Sequence, residues 1–440
     1  MREQLKNFLA AMCENSVAII PAAHEATRSY DTEYRFRQDS DFWYLTGFPE
    51  PDAIAVIDPS SKTPYTLYVR PRNIEMETWF GRRQGVEGAV KNYGADRAFP
   101  IEKFSGDIGK LVDGHDVLYY RFALDTALDQ QILGYLNEQR VRRLKTAYPP
   151  HTIVDPTPII GDMRLHKTQE EAALMQRAAD IAGDAHVLAM RKVKPGMNES
   201  EVEAMMESFM RAKGANGVAY NSIVGGGDNA TILHYVENKD DLKDGDLILI
   251  DAGADYQGYA SDITRTFPIN GKFTQAQRDV YDVVLDVQKK CIDYTVTGNT
   301  VKARHEYSIE LLTEGMKKLG LLKGATKDLI KKKSYLKYYM HGVGHYLGLD
   351  VHDAGRYWAD QKAKNSRAFA PGMCLTVEPG IYVPPDAKDA PAKYRGIGIR
   401  IEDDVLVTED GNLNLTRKVP KEPEEIEAIM QKPARSKGTR

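Results

Sequence analysis

Asp251 and Asp262 bracket the stretch Leu247-Ile-Leu-Ile-Asp251-Ala-Gly-Ala-Asp255-Tyr-Gln-Gly258-Tyr-Ala-Ser-Asp262-Ile-Thr-Arg-Thr266, a spacing that points to metal chemistry. Four apolar residues run into Asp251 as in a buried strand. A turn-like Asp255-Tyr256-Gln257-Gly258 follows, and a β-branched run starts at Ile263. With Tyr256 and Gln257 as the two central residues of a hairpin, Asp251 sits opposite Asp262, Cβ atoms about 5 Å apart on one face. Facing carboxylates on an apolar sheet repel, and loss of water makes the repulsion worse. A cation between them resolves it. A lone aspartate is more often a turn residue or a cap, so the reading leans on what lies downstream.

Met340-His341-Gly-Val-Gly-His345-Tyr-Leu-Gly-Leu-Asp-Val-His352-Asp353 carries three of the chain's 10 histidines. Each glycine would cost a helix roughly 1 kcal/mol, so the segment is predicted extended and looped. Leu375-Thr-Val-Glu378-Pro-Gly380 ends an apolar strand on a carboxylate. Gly396-Ile-Gly-Ile-Arg400-Ile-Glu402-Asp-Asp404 alternates with period two. Ile397, Ile399 and Ile401 take one face, Arg400 and Glu402 the other. Alone, that Arg–Glu pair reads equally well as a buried ion pair. Asp251, Asp262, His345, Glu378 and Glu402 together make an oxygen-dominated donor set. It suits Mn²⁺, with Zn²⁺, Co²⁺ or Fe²⁺ as alternatives, rather than a thiolate zinc site. Four carboxylates overbalance one dication. Two dications about 3.5 Å apart, bridged by carboxylates and a hydroxide, match their charge.

These strings resemble the pita-bread metallopeptidases, and most closely the aminopeptidase P (Xaa-Pro aminopeptidase) family. The resemblance also rests on Tyr220-Asn-Ser-Ile-Val-Gly-Gly-Gly with His234, and on Ser261-Asp-Ile-Thr-Arg-Thr-Phe-Pro268. It reaches the first half through Arg37-Gln-Asp-Ser-Asp-Phe-Trp43-Tyr-Leu-Thr-Gly47 and Trp79-Phe-Gly-Arg-Arg83, and so covers nearly the whole chain. It implies an α/β N-terminal domain followed by an α+β pita-bread catalytic domain with pseudo-twofold symmetry. The implied activity is release of the first residue from peptides with proline second, in a dimer or tetramer. All five implied ligand positions hold the expected residue types.

The implied mechanism uses a hydroxide bridging two divalent metals as nucleophile. His234 is the implied oxyanion donor. Glu378, touching that hydroxide, is the expected proton shuttle to the leaving ring nitrogen of proline. His341, His352 and Arg400, with Tyr382 beside them, are expected to line the proline pocket, and His352 is also assigned to catalysis. Trp79 lies in a segment that in relatives reaches a neighbouring subunit's site. His24, His115, His151, His166, His186 and His305 read as structural. Prolidase shares all five ligands but must close on a carboxylate after proline; the strings around Trp43 and Trp79 favour aminopeptidase P. Metal-free binding modules and creatinase-like hydrolases lack ligands that are present here. Methionine aminopeptidase usually lacks the long first domain.

The elements that must position these residues follow a division near residue 165: 1–165 as the N-terminal domain, serving oligomerisation and substrate access, and 166–440 as the catalytic domain. Val17–Ile20, Ala53–Ile57, Thr66–Val69 and Asp116–Tyr120 are short apolar runs interleaved with helical stretches, an α/β pattern. A proline-rich passage from Pro149 to Pro158 leads to the junction. Thr168-Gln-Glu-Glu171 looks like a capping box opening a helix to about Arg191, with Ala172, Met175, Ala179 and Ala182 on one stripe. Further helices are expected after Pro195-Gly196 and after Thr274. Lys331-Lys-Lys333 reads as solvated surface, and the last ten residues as frayed. At 440 residues the chain is long enough for two cores. A net charge of −4 gives no reason to expect nucleic acid or an anionic membrane. No apolar run is long enough to span a bilayer. The charged N-terminus is unlike a secretory signal, and Cys13, Cys291 and Cys374 are scattered. Both fit a cytoplasmic protein with reduced thiols, and Cys374 reads as a packing residue.

Overall fold

A computed structural model describes residues 1–141, 148–360 and 362–431. The residues expected to fray lie, from 432 on, outside that range. The chain forms two compact units, Met1–Met163 and Arg164–Arg440.

The first unit is built on a six-stranded mixed sheet. Its strands are β1 (Ser16–Pro21), β2 (Ile54–Ile57), β3 (Tyr65–Val69), β4 (Arg97–Pro100), β5 (Val117–Tyr119) and β6 (Thr152–Val154), in the order β4-β3-β2-β1-β5-β6. β1, β2 and β3 are buried along their whole length, as their unbroken apolar runs require. Val17, Ile19, Val56 and Tyr68 pack under helices α1 (Phe104–Val112) and α2 (Thr126–Val141), which contribute Phe104, Ile108, Leu128 and Ile132.

The second unit repeats one pattern twice: a pair of helices, then antiparallel strands. In the first round α3 (Gln169–Lys192) packs on α4 (Glu199–Ala212). β7 (Ile223–Gly226), β8 (Leu247–Asp251), β9 (Ala254–Tyr256), β10 (Tyr259–Ala260) and β11 (Thr264–Pro268) follow. In the second, α5 (Gln275–Tyr294) packs on α6 (Val301–Lys318). β12 (Cys374–Val377), β13 (Gly380–Val383), β14 (Ile397–Arg400), β15 (Asp403–Thr408) and β16 (Gly411–Asn414) follow. Local chemistry starts the helices where the sequence says. Thr168 and Glu171 form both bonds of a capping box, and so do Thr274 and Gln277. Met175, Ala179 and Ala182 are buried on one stripe of α3, while Ala172 is only partly covered. One core joins the two rounds, with Ile248 and Ile250 of β8, Ile399 of β14 and Val284 of α5 among its members.

Lys331, Lys332 and Lys333 are exposed, and Cys374 is fully buried. The charged tail contains a short helix, Pro423–Met430, which the sequence reading did not foresee; Ile426 anchors it. Among the described residues no helix is long and apolar enough to cross a membrane.

Candidate metal centre and active site

Asp251 ends β8, and the chain returns to it through the β9–β10 hairpin. Gln257 (φ 52°) and Gly258 (φ 90°) are the central turn residues, the two positive φ values of a type I′ turn. The turn therefore sits one residue later than predicted. Asp255 pairs with Ala260, and Asp251 pairs with Thr264 rather than with Asp262. The slip moves the partner by two residues, one full strand period. Asp262 thus stays on the face of Asp251 as a diagonal neighbour. Gly253 makes this crossing feasible, since a Cβ there would fall 1.7 Å from the Ser261 carbonyl oxygen. The Tyr220 hydroxyl lies 2.6 Å from Asp251 Oδ1 and 2.5 Å from Asp262 Oδ1, tying the two carboxylates together.

The second half of the cluster comes from one bent hairpin. The single strand expected over 396–404 is divided into β14 and β15. β12 pairs with β15 and β13 with β14, and Val377↔Asp403 and Gly380↔Arg400 belong to one continuous register. Glu378 therefore falls across from Glu402, at the bend where Pro379 offers no N–H to the ladder. Here, and not at Asp251 and Asp262, two carboxylates face each other directly. Both faces of the run are covered: Arg400 is 3 % and Glu402 1 % exposed. Thr264 donates its hydroxyl to Glu402 Oε2 at 2.6 Å. The Arg400 guanidinium reaches Asp251 Oδ2 at 2.6 Å and Thr264 Oγ1 at 3.1 Å.

His345 lies on the irregular segment between the helices and the strands of the second round, non-helical as its glycines predict. Its Nδ1–H donates to the Tyr346 carbonyl at 3.0 Å, which leaves the Nε2 lone pair facing the carboxylates. Nε2 is 3.4 Å from Asp262 Oδ2 and 3.6 Å from Glu378 Oε1. Ligand atoms of Asp262, His345 and Glu402 all lie within 4.8 Å of one another.

The electrostatics of the cluster call for a cation. Burial, reinforced by Asp262 and Asp251 against the pull of His345 and Arg400, pushes Glu378 up to about 7. Burial and the neighbouring carboxylates hold Glu402 well above the usual carboxylate range. Asp251 is also raised, burial outweighing Arg400, whereas His345 and Tyr220 keep Asp262 low against burial. Despite its own burial, His345 is drawn up to about 9 by Asp262 and Glu378. Glu378, Glu402 and His345 thus hold protons more tightly than ordinary carboxylates and imidazoles do. That is the charge demand divalent cations meet, and an O₄N donor set suits them.

The cluster opens into a cavity of about 450 Å³ that is also lined by His234, His341, His352 and Arg400. His234 is exposed on the turn after Gly227–Thr231. The His352 ring stands 4.3 Å from that of His345, nearly perpendicular to it. Arg400 Nη1 donates to the Tyr382 hydroxyl at 3.1 Å, and that hydroxyl meets His341 Nε2 at 2.8 Å. With Nδ1–H directed at the Gly342 carbonyl, His341 Nε2 accepts. Burial, then Arg400, pushes His341 down to about 3, so it stays neutral. Tyr382 is fully buried and outside the lining, which corrects its expected place in the pocket: it stands behind His341 and Arg400. Trp79 belongs to the first unit, is 77 % exposed and is not part of the lining.

Sequence reasoning passed over three contributors. Tyr220 opens one of the recognised strings, and Thr264 follows Asp262 at the strand period, but hydroxyls in strands are too common to stand out. Asp404 accepts the Asp262 backbone N–H at 3.1 Å from behind. Of the other histidines, His24 lies between Asp52 and Asp125 at 2.6 and 2.9 Å, and His186 Nε2 donates to the Ala252 carbonyl at 3.0 Å.

Comparison with known proteins agrees with this geometry. Residues 173–409 match the model of metallopeptidase family M24, and residues 1–119 match that of the aminopeptidase P N-terminal domain. The Xaa-Pro aminopeptidase of Escherichia coli is 45% identical over 95% of this chain and 94% of its own. The solved structure of an aminopeptidase from Pseudomonas aeruginosa superposes with a TM-score of 0.94 at 44% identity, covering 97% of this chain and 96% of that one. Zn-substituted aminopeptidase P from Escherichia coli, in complex with product, gives 0.93 at 44% identity over the same shares.

Proposed function

The chain belongs to metallopeptidase family M24, and we propose that it is a Xaa-Pro aminopeptidase, a hydrolase releasing the first residue from peptides with proline second. One observation carries this most. Asp262, His345 and Glu402 converge within 4.8 Å in a cavity shared with Asp251, Glu378 and His234. They do so in a chain 45% identical over 95% of its length to an enzyme of that activity.

Membership of the family makes the enzyme dependent on divalent metal. Asp251, Asp262, His345, Glu378 and Glu402 would hold two cations, manganese in our reading, with zinc, cobalt and iron as alternatives. When bound, such a pair lowers the pKa of water and polarises a carbonyl. The side chains do the rest. Glu378, at the wall of the cavity, accepts the proton of the attacking water and returns it to the departing proline nitrogen. His234 faces the cavity and donates to the developing oxyanion. His352, beside His345, assists at the same carbonyl. Arg400 offsets the charge of Asp251 and orients His341 through Tyr382. His341, uncharged, can pack against the proline ring.

The reading extends to a cytoplasmic homo-oligomer with neither nucleic acid nor membrane as partner. The net charge of −4 and the free cysteines Cys13, Cys291 and Cys374 support it. So does the helix Ile74–Phe80, which buries none of its residues and leaves Ile74 85%, Trp79 77% and Phe80 72% exposed, apolar surface that a second subunit could cover.

The test is an assay of manganese-loaded protein on Xaa-Pro-Yaa peptides beside Xaa-Pro dipeptides. Tripeptides and longer peptides are expected to be cleaved efficiently and dipeptides poorly. Replacing the proline by alanine should lower kcat/KM by about tenfold or more, the scale of one well-filled apolar pocket. Faster cleavage of the dipeptide would make the enzyme a prolidase with the same metal site.

A further inference from the structure

A second cavity of about 270 Å³ adjoins the first. The two share Gly342 and Gly344 in their walls, so only side-chain-free backbone separates them there. The remaining walls include Val301 and His305 of α6, with Tyr357 and Trp358. The Tyr357 ring stacks on Tyr346 at 4.6 Å, and its hydroxyl accepts the Tyr346 N–H at 3.1 Å. Trp358 pairs across a small hairpin with Ser366, and the next rung is an Ala359 N–H to Asn365 carbonyl bond of 2.8 Å. His305 Nδ1 is buried with no hydrogen-bond partner among the described residues. The mechanism proposed above uses none of these groups.

Position decides what the cavity takes. It joins the active site beside His341, whose ring is adjacent to Gly342 and which the proposed function assigns to the proline side. The residue released at the metal centre lies on the other side of the scissile bond. A chain that continues after proline runs on from the His341 side, where this recess adjoins the active site through Gly342. A largely apolar recess with an indole, a phenol ring and a valine favours an apolar or aromatic side chain.

We propose that this second cavity is a specificity subsite for the residue immediately after proline, with Trp358 and Tyr357 as its walls, so that the enzyme prefers Xaa-Pro-Yaa substrates in which Yaa is aromatic or large and apolar. The proposal rests on the aminopeptidase reading given above. An aromatic side chain seated there adds binding that ground state and transition state share, so the preference should appear mainly in KM.

The experiment compares Ala-Pro-Phe-Gly with Ala-Pro-Gly-Gly on the manganese-loaded full chain. We expect kcat/KM for the phenylalanine peptide to exceed that for the glycine peptide by about tenfold or more. In Trp358→Ala the ratio should fall to within about twofold of unity. Gly342→Val provides an independent check: a Cβ at Gly342 meets nothing nearer than 4.0 Å, so the fold should tolerate it, yet it would narrow the passage. The same loss of preference is expected. Equal kcat/KM for the two peptides in the unaltered enzyme, or an undiminished preference in Trp358→Ala, overturns the subsite and leaves the aminopeptidase intact. Cleavage of neither peptide overturns both.

Discussion

At the scale of single residues, the centre is an arrangement of charges that cannot stand without compensation. Arg400 offsets Asp251, His345 offsets Asp262 and Glu378, and Glu402 accepts the Thr264 hydroxyl at 2.6 Å. Removing one carboxylate should therefore be tolerated by the fold and not by the chemistry. Asp262→Asn is expected to abolish activity and lower bound metal, measured by elemental analysis, while leaving the fold of the metal-free protein largely intact. Full activity with two metals per chain would sink the ligand assignment. His234 differs, being exposed at the cavity rim and outside the charge cluster. His234→Ala should retain metal and lose roughly a hundredfold or more in kcat, the usual cost of one oxyanion donor. A rise in KM alone would make His234 a binding residue instead. Ligand-type residues were legible from the sequence because carboxylates at strand ends are conspicuous. Tyr220 and Tyr382 were not placed correctly, because a tyrosine's hydroxyl works at the end of a long ring whose direction is set by packing.

At the scale of elements, two helix starts were legible to the residue, since Thr168 and Thr274 carry their signals locally in capping boxes. Strand register was not. It turned on whether Gln257 would accept a positive φ beside Gly258, a choice the type I′ turn makes and residue types alone leave open. The division of 396–404 likewise depends on Pro379 in the partner strand, which no period within the run reveals. One helix-to-strand contact has a measurable consequence. His186 of α3 is fully buried, with its Nε2–H on the Ala252 carbonyl next to Asp251. Burial pushes it down to about 4 from 6.5. Between those values the unfolded chain binds a proton that the folded chain excludes. Stability should thus fall as pH drops from 6.5 toward 4, by on the order of 3 kcal/mol. His186→Gln keeps a donor but does not titrate. Melting both proteins at pH 7 and pH 4.5 should show the larger loss in the unsubstituted one; equal losses would sink the assignment.

At the scale of the whole molecule, the two helix-pair-and-strand rounds of the second unit bring their like charges to one place. β8 and the β10–β11 return supply Asp251 and Asp262, the later hairpin supplies Glu378 and Glu402, and neither round holds the full set. Metal binding should therefore link the two rounds and act on stability as well as on rate. A cation bound to the folded chain alone adds about 2.7 kcal/mol at a hundred times its dissociation constant. Stripping it with a chelator is expected to lower the melting temperature by several degrees. The size of that drop should depend on pH, and the sign follows from the carboxyls. Without metal, Glu378 holds its proton up to about 7 while an unfolded glutamate releases it near 4.5. The metal-free fold is thus favoured below 4.5, and that advantage is lost as pH rises through 7, when the carboxylates face one another charged. His345, held protonated up to about 9, offsets part of the repulsion without removing it. Bound cations require those carboxylates ionised, so the metal-loaded form shows no such loss. The gap between metal-loaded and chelated melting temperatures should accordingly widen from pH 5 to pH 8. Calorimetry on both forms across that range checks it, and a gap that narrows with rising pH would mean that the four carboxylates do not share one charge-coupled site.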